Sequence, residues 1–144
     1  MKIEKDVVSL IMKISRLSSH HVRNQSEKIG MRHAYAPLLR PIVENDGLTQ
    51  NELKEIVSLR APTISLTLQN MESDGLIIRK SDKKDLRSVR VYITEKGKKI
   101  DKEIYKIILN DHNIALDGIS EQDQNTVMEV LKKIKSNLEK TEGN

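Results

Sequence analysis

The sequence predicts a mainly α fold with a small β component (α+β). Three observations carry that prediction: apolar stripes of helical period near both ends, two short helix patterns joined by a tight turn in the middle, and a switch from helical to alternating period directly after them. At 144 residues the chain is long enough to bury a core and is expected to form one domain, residues 1–144.

Composition narrows the function classes. The chain is 37% hydrophobic and 32% charged, and no apolar run approaches the roughly 20 residues that cross a bilayer, so no membrane role is expected. The start, Met1-Lys2-Ile3-Glu4-Lys5-Asp6, mixes acids with bases before a short apolar stretch, unlike a secretory leader, which points to the cytoplasm. With no cysteine there is no disulfide framework, thiolate metal site or thiol redox switch.

Taken in order, Val7, Leu10, Ile11, Ile14, Leu17 and His21 recur at three- and four-residue steps and predict a helix over about residues 4–28, ended by Gly30. Tyr35, Leu38, Leu39 and Ile42 have helical spacing too, but Pro37 and Pro41 interrupt it, so this helix is expected to begin near Pro37 or to kink at Pro41. Asn45-Asp46-Gly47 stops it. Thr49 with Glu52 makes a capping box opening a short helix with Leu53, Ile56 and Val57 inward. After a turn at residues 58–61, Pro62 opens a second helix at its first position, with Ile64, Leu68 and Met71 inward and Asp74-Gly75 as the stop. Two helices of about ten residues with a tight turn between them form a helix-turn-helix pattern.

The outward positions of the second helix are expected to be Thr63, Ser65, Thr67, Gln69 and Asn70, with no Lys or Glu between Ala61 and Asn70. A solvated helix face usually carries several charges. Small hydroxyls and amides instead suit base edges, where Gln or Asn pairs with adenine and a Thr methyl meets a thymine methyl.

Past Gly75 the period changes. Leu76 to Lys80 and Ser88 to Ile93 predict a β-hairpin with a polar tip, and Thr94-Glu95-Lys96-Gly97 opens another helix. A hairpin directly after the second helix of the pair is the layout of a wing beside a recognition helix, so the fold becomes a winged helix-turn-helix over about residues 33–93. The segment from Arg79 to Lys99 holds nine cations against three acids, a local excess of 9 − 3 = +6 in a chain of net charge +4. That is a candidate phosphate-contacting surface. Arg87, near the tip, is placed to enter a minor groove. Asp85 is expected to hold an arginine by a charge-assisted bidentate bond and so orient the wing.

These residues carry a resemblance. Asp82-Lys83-Lys84-Asp85-Leu86-Arg87-Ser88, then Val91-Tyr92-Ile93-Thr94-Glu95-Lys96-Gly97, resembles the wing of the MarR family of transcription regulators, with its Asp-x-Arg signature and trailing Thr-x-Lys-Gly element. Leu48 to Leu53 and Thr63 to Ile77 are similar to the family's helix-turn-helix in order and spacing, and the likeness covers about residues 47–98. The resemblance implies Thr63, Ser65 and Gln69 in a major groove, Arg60, Thr67 and Asn70 flanking them, and Arg87 in a minor groove with Asp85 as its orienting partner. Gln69 and Asn70 stand where many members have a basic residue, which argues against guanine reading by this helix.

The resemblance further implies a homodimer built from N- and C-terminal helices, about residues 4–28 and 96–140, binding palindromic double-stranded DNA. Stripes at Ile100, Ile104, Ile107 and Ile108, and at Val127, Leu131, Ile134 and Leu138, agree with helices that pack on helices; Ser120 with Asp123 opens the last one. With no Phe or Trp the chain has little bulky core to cover them.

By the same resemblance, many such proteins release DNA when a small anionic aromatic compound binds between the dimer helices and the winged domain, others when a cysteine is oxidised and a few when zinc binds. A repressor released by a small aromatic or anionic effector is therefore expected here; His21, at the end of the apolar face of the first helix, and Tyr35, at the start of the second, are the candidate pocket residues. Among His20, His21, His33, Glu44 and His112 no pair has the i, i+4 spacing of two ligands on one helical face, so neither a metal nor another cofactor is expected. Neither a phosphate-binding glycine loop nor a nucleophile elbow is present, which points away from an enzyme. The competing reading is a winged-helix module that binds an acidic protein through its basic hairpin.

Overall fold

In the computed structural model, which describes residues 6–142, the chain opens with helix α1, Val7–Lys28, capped by Asp6, whose carboxylate accepts from the Ser9 amide at 2.8 Å. Residues 4 and 5 of the expected helix lie outside the described residues. A 3-10 turn at His33–Tyr35 leads into α2, Ala36–Glu44. Pro37 sits in its first turn, where a missing N–H costs nothing. Pro41 lies inside and removes the bond to the carbonyl one turn back, but the helix ends three residues later at Glu44, with the C-cap Asn45 donating to the Pro41 carbonyl through both its backbone and its side-chain nitrogen at 3.0 Å. The helix thus begins beside Pro37, one of the two expected outcomes, and accommodates Pro41 in its last turn.

Helix α3, Gln50–Ile56, has the expected reciprocal cap: the Glu52 amide donates to the Thr49 hydroxyl at 3.1 Å and the Thr49 amide to the Glu52 carboxylate at 2.6 Å. At seven residues it has only two turns. Leu53 is buried and Val57 packs on the core, but Ile56, expected inward, is 53% exposed. The chain turns extended at Val57, which brings that side chain in and leaves Ile56 out. Helix α4 follows, Ala61–Ser73, with Arg60 at the N-cap and Pro62 at its second position, one later than the spacing suggested. Asp74 and Gly75, the latter at φ +77, turn the chain into the hairpin.

Strands β1, Ile77–Ser81, and β2, Val89–Ile93, pair antiparallel from Ile77 with Ile93 to Ser81 with Val89. Beyond the expected hairpin, residues 47–49 also run along β2: the Val91 amide donates to the Leu48 carbonyl and the Gly47 amide to the Val91 carbonyl, with a bridge between Thr49 and Arg90. The wing is therefore tied at its base to the entry of α3. Helix α5, Glu95–Ala115, starts at Thr94, whose hydroxyl accepts from the Gly97 amide at 3.0 Å. Helix α6 is Glu121–Glu142.

The chain divides into two compact units, one through Leu109 and one from Asn110 onward. The core lies in the first: Tyr35, Leu38, Leu39 and Ile42 from the 3-10 turn and α2, Leu53, then Ile64, Leu68 and Met71 of α4, closed by Leu76, Ile77, Val91 and Ile93, with Ile100 and Ile104 of α5 packed against it. In the second unit, Leu131 and Ile134 of α6 are partly covered, while Val127 and Leu138 of the same stripe are exposed. Among the described residues, no helix is long and apolar enough to cross a membrane.

Candidate nucleic-acid interface

Helix α4 is held rigidly on one side. Ile64, Leu68 and Met71 are buried, and at its C-terminal end Glu72 accepts from the Arg79 backbone amide at 3.0 Å and from the Arg79 guanidinium at 2.9 Å, fastening the helix to β1. Those two bonds, the backbone one first, keep the Glu72 carboxyl below its ordinary range. Asp74 at the C-cap accepts from the Tyr35 hydroxyl at 2.6 Å and pairs with Arg32 at 3.1 Å.

The free side of α4 differs from the expected one at two positions. Thr67 is 6% exposed and belongs to the core side: it lies three residues after Ile64 and four before Met71, so helical geometry carries it inward despite its hydroxyl. It cannot flank a major-groove contact. Leu66, which the sequence reading passed over, is 60% exposed. Thr63, Ser65 and Gln69 are exposed as expected, Asn70 is half-buried at the edge, and Arg60 is exposed at the N-terminal end.

The hairpin tip is built by two aspartates, and their roles differ from the expectation. Asp85 holds no arginine side chain among the described residues. One of its carboxylate oxygens accepts from the Arg87 backbone amide and the other from the Ser88 hydroxyl, both at 3.0 Å, while the Ser88 amide donates to the Asp85 carbonyl. It shapes the wing by closing a turn. The arginine is held by Asp82: Arg90 reaches one oxygen at 2.8 and 2.7 Å, and the Lys84 amide donates to the other at 2.8 Å. These contacts, the Lys84 bond first, hold the Asp82 carboxyl below its ordinary range. Arg90 also donates to the Gly47 carbonyl at 2.8 Å, so one guanidinium joins tip, β2 and the approach to α3. Sequence spacing hid this because the pair spans eight residues, and only the strand register brings it together.

Several of the nine cations are thus committed within the fold: Arg79 to Glu72, Arg90 to Asp82, Lys98 to Glu95 and Lys96 to the Asp74 carbonyl. Lys83, Lys84 and Arg87 remain exposed at the tip. Arg87 borders a small depression of about 140 Å³ with Thr49, Gln50 and Asn51 at the start of α3.

Neither residue expected in an effector pocket lines the open cleft between α1, α2 and α5. Tyr35 is 1% exposed inside the core; burial first, then its bond to Asp74, pushes its hydroxyl up to about 12, so it stays a donor. His21 is half-buried on α1. An open cleft of about 560 Å³ lies between α1, α2 and α5, with Val22, Met31, Leu39, Ile104 and Ile108 as apolar walls and Arg23, Arg32, His33 and Arg40 among its polar lining. Arg40 also joins Asp101 of α5 at 2.9 Å and Glu44 at 2.8 Å. Only tertiary packing assembles this group.

Residues 37–89, from α2 to the first residue of β2, match the model of the MarR family. The chain belongs to the MarR family. The organic hydroperoxide resistance transcriptional regulator of Bacillus subtilis is 30% identical over 97 residues, covering 67% of this chain and 66% of that one. A Listeria monocytogenes protein described as a MarR-family transcriptional regulator, crystallised with a 26mer of DNA, is 29% identical with a TM-score of 0.67, covering 93% of this chain and 89% of that one. A MepR variant of S. aureus superposes with a TM-score of 0.83 at 24% identity, covering 92% and 98%, a likeness of fold. The MarR-family match takes in every residue discussed above from Arg60 through Arg87.

Proposed function

We propose that this chain is a homodimeric, sequence-specific DNA-binding transcription regulator working in the cytoplasm, a repressor released by a small effector, with no catalytic activity. The observation that carries the DNA reading is the pairing of an α4 face free of Lys and Glu from Ala61 to Asn70 with an adjoining wing whose tip leaves Lys83, Lys84 and Arg87 exposed. The first suits base edges and the second phosphates and a minor groove. The family relative crystallised with DNA supports the same assignment. On this reading Thr63, Ser65 and Gln69 enter a major groove, Arg60 and Asn70 flank it, and Asp85 fixes the turn that presents Arg87.

Dimerisation through the terminal helices is supported by apolar side chains left uncovered on one copy. Leu10, Met12, Ile14 and Leu17 of α1, and Val127, Met128 and Leu138 of α6, are each more than half exposed. A monomer rarely displays so much apolar surface. The α1–α2–α5 cleft is apolar within, and its lining includes Arg23, Arg32 and Arg40, each paired with a carboxylate, and Asp101 itself. A small aromatic acid would fit by exchanging its own carboxylate for one of those partners. With no cysteine in the chain, thiol oxidation is not the release trigger.

Selection of binders from a randomised duplex library at roughly physiological salt tests this reading, followed by titration of small aromatic acids onto the recovered duplex. The expected sequence is a palindrome with half-site centres about one helical turn, roughly 10 bp, apart. Its affinity is expected to fall with an aromatic acid and not with the matching uncharged amide. No enriched sequence would leave the wing as a protein-binding module. An operator indifferent to both compounds would remove the effector role of the cleft alone.

A further inference from the structure

We propose that Leu66 reads a thymine methyl group in the half-site, so that this regulator's sequence preference rests partly on an apolar contact. The proposal builds on the DNA-binding reading of α4 and names a residue which that reading does not use. Pro62, Leu66, Gln69 and Ser73 follow one another at four-, three- and four-residue steps and share one side of α4, with Ser65 beside them, opposite buried Ile64, Leu68 and Met71. Leu66 lies on the same stripe as Gln69, one turn earlier, and is 60% exposed.

A single exposed leucine is ordinary on a helix whose neighbours are Lys and Glu. Here its surroundings are Thr63, Ser65 and Gln69, on a face carrying no side-chain charge between Ala61 and Asn70. Leucine neither donates nor accepts a hydrogen bond. In a major groove only thymine offers it a complementary group, the C5 methyl; the donor at cytosine N4 and the acceptors of guanine would lose water without a partner. Thr63 and Gln69, by contrast, can accept more than one base. Leu66 therefore supplies discrimination for thymine that the hydroxyls and amide around it do not.

The test replaces thymines of the selected operator, one position at a time, by deoxyuridine, which removes only the methyl and keeps the pairing edge, and compares the native protein with Leu66→Ala. At one thymine in each half-site the native protein is expected to lose about fourfold in affinity per methyl, the equivalent of about 0.8 kcal/mol. Leu66→Ala is expected to bind the thymine and deoxyuridine duplexes equally at that position, while responding like the native protein elsewhere. Because Leu66 is exposed, the thermal midpoint of the variant is expected to match the native one. Equal losses for both proteins at every position, or an operator with no methyl-sensitive thymine, would overturn the role of Leu66 while leaving DNA binding intact. Absence of any sequence-specific duplex binding by the native protein would overturn both.

Discussion

Gly97→Ala is expected to destabilise the winged domain by about 3 kcal/mol, read as a lowered urea midpoint, and to weaken DNA binding with it. Inside an α-helix, alanine in place of glycine ordinarily adds about 0.8–1.0 kcal/mol of stability. At Gly97 that gain is outweighed. An alanine Cβ there would overlap the Leu76 carbonyl oxygen and the Ile93 Cδ1, and would stand 3.1 Å from Ile93 Cγ1. Overpacking a core costs about 1–3 kcal/mol, and the upper end applies because a backbone oxygen cannot rotate aside as a flexible side chain would. The same carbonyl accepts from the Thr94 amide at 3.0 Å, so pushing it away also loosens the start of α5. The two effects have opposite signs, which makes the measurement decisive. A midpoint equal to or above the native one would show that α5 does not approach β1 and β2 this closely.

The second large effect is on binding. Arg87→Ala is expected to reduce affinity for the selected operator by about thirtyfold, the middle of the range for a well-placed DNA-contacting arginine. Arg87 is exposed, and the turn beneath it is closed through its backbone amide and the Ser88 hydroxyl, both of which alanine leaves in place. Folding stability is therefore expected to stay within about 0.5 kcal/mol of native. The dimer should also persist in sedimentation, because the wing lies outside the terminal helices assigned to dimerisation. An unchanged operator affinity would remove Arg87 from the interface. A monomeric variant would contradict the assignment of the dimer to those helices.

Much of this architecture was legible because its determinants are local. The capping box of Thr49 and Glu52, the stripe of Ile64, Leu68 and Met71, and the shift to alternation after Gly75 all act within a few residues, and each appears where the spacing placed it. Thr67 was misplaced because its hydroxyl was given more weight than its helical position, although Ile64 and Met71 one turn to either side mark it as inward. Leu66 belongs to neither the inward nor the outward set that the spacing names, although it lies three residues before Gln69 on the exposed side. The exchange of roles between Asp82 and Asp85 needed the strand register, which places Arg90 against a residue eight positions away. Least legible was the cleft. Its lining is drawn from α1, α2 and α5, so no run of sequence contains it, and Tyr35, favoured for its place at the head of α2, is instead consumed by the core and Asp74.

The central claim, sequence-specific recognition of DNA through α4 and the wing, is tested most directly by titrating the selected palindrome and a shuffled duplex over a range of salt. Lys83, Lys84 and Arg87 are exposed on the wing, so the proposed dimer is expected to make about six phosphate-region contacts. A dimer of this kind is expected to lose about 10³ in affinity between roughly 50 and 200 mM salt, and to prefer the palindrome by at least about 10³ at physiological salt. Equal, salt-insensitive affinities for the two duplexes would contradict the account and assign the wing to a protein partner.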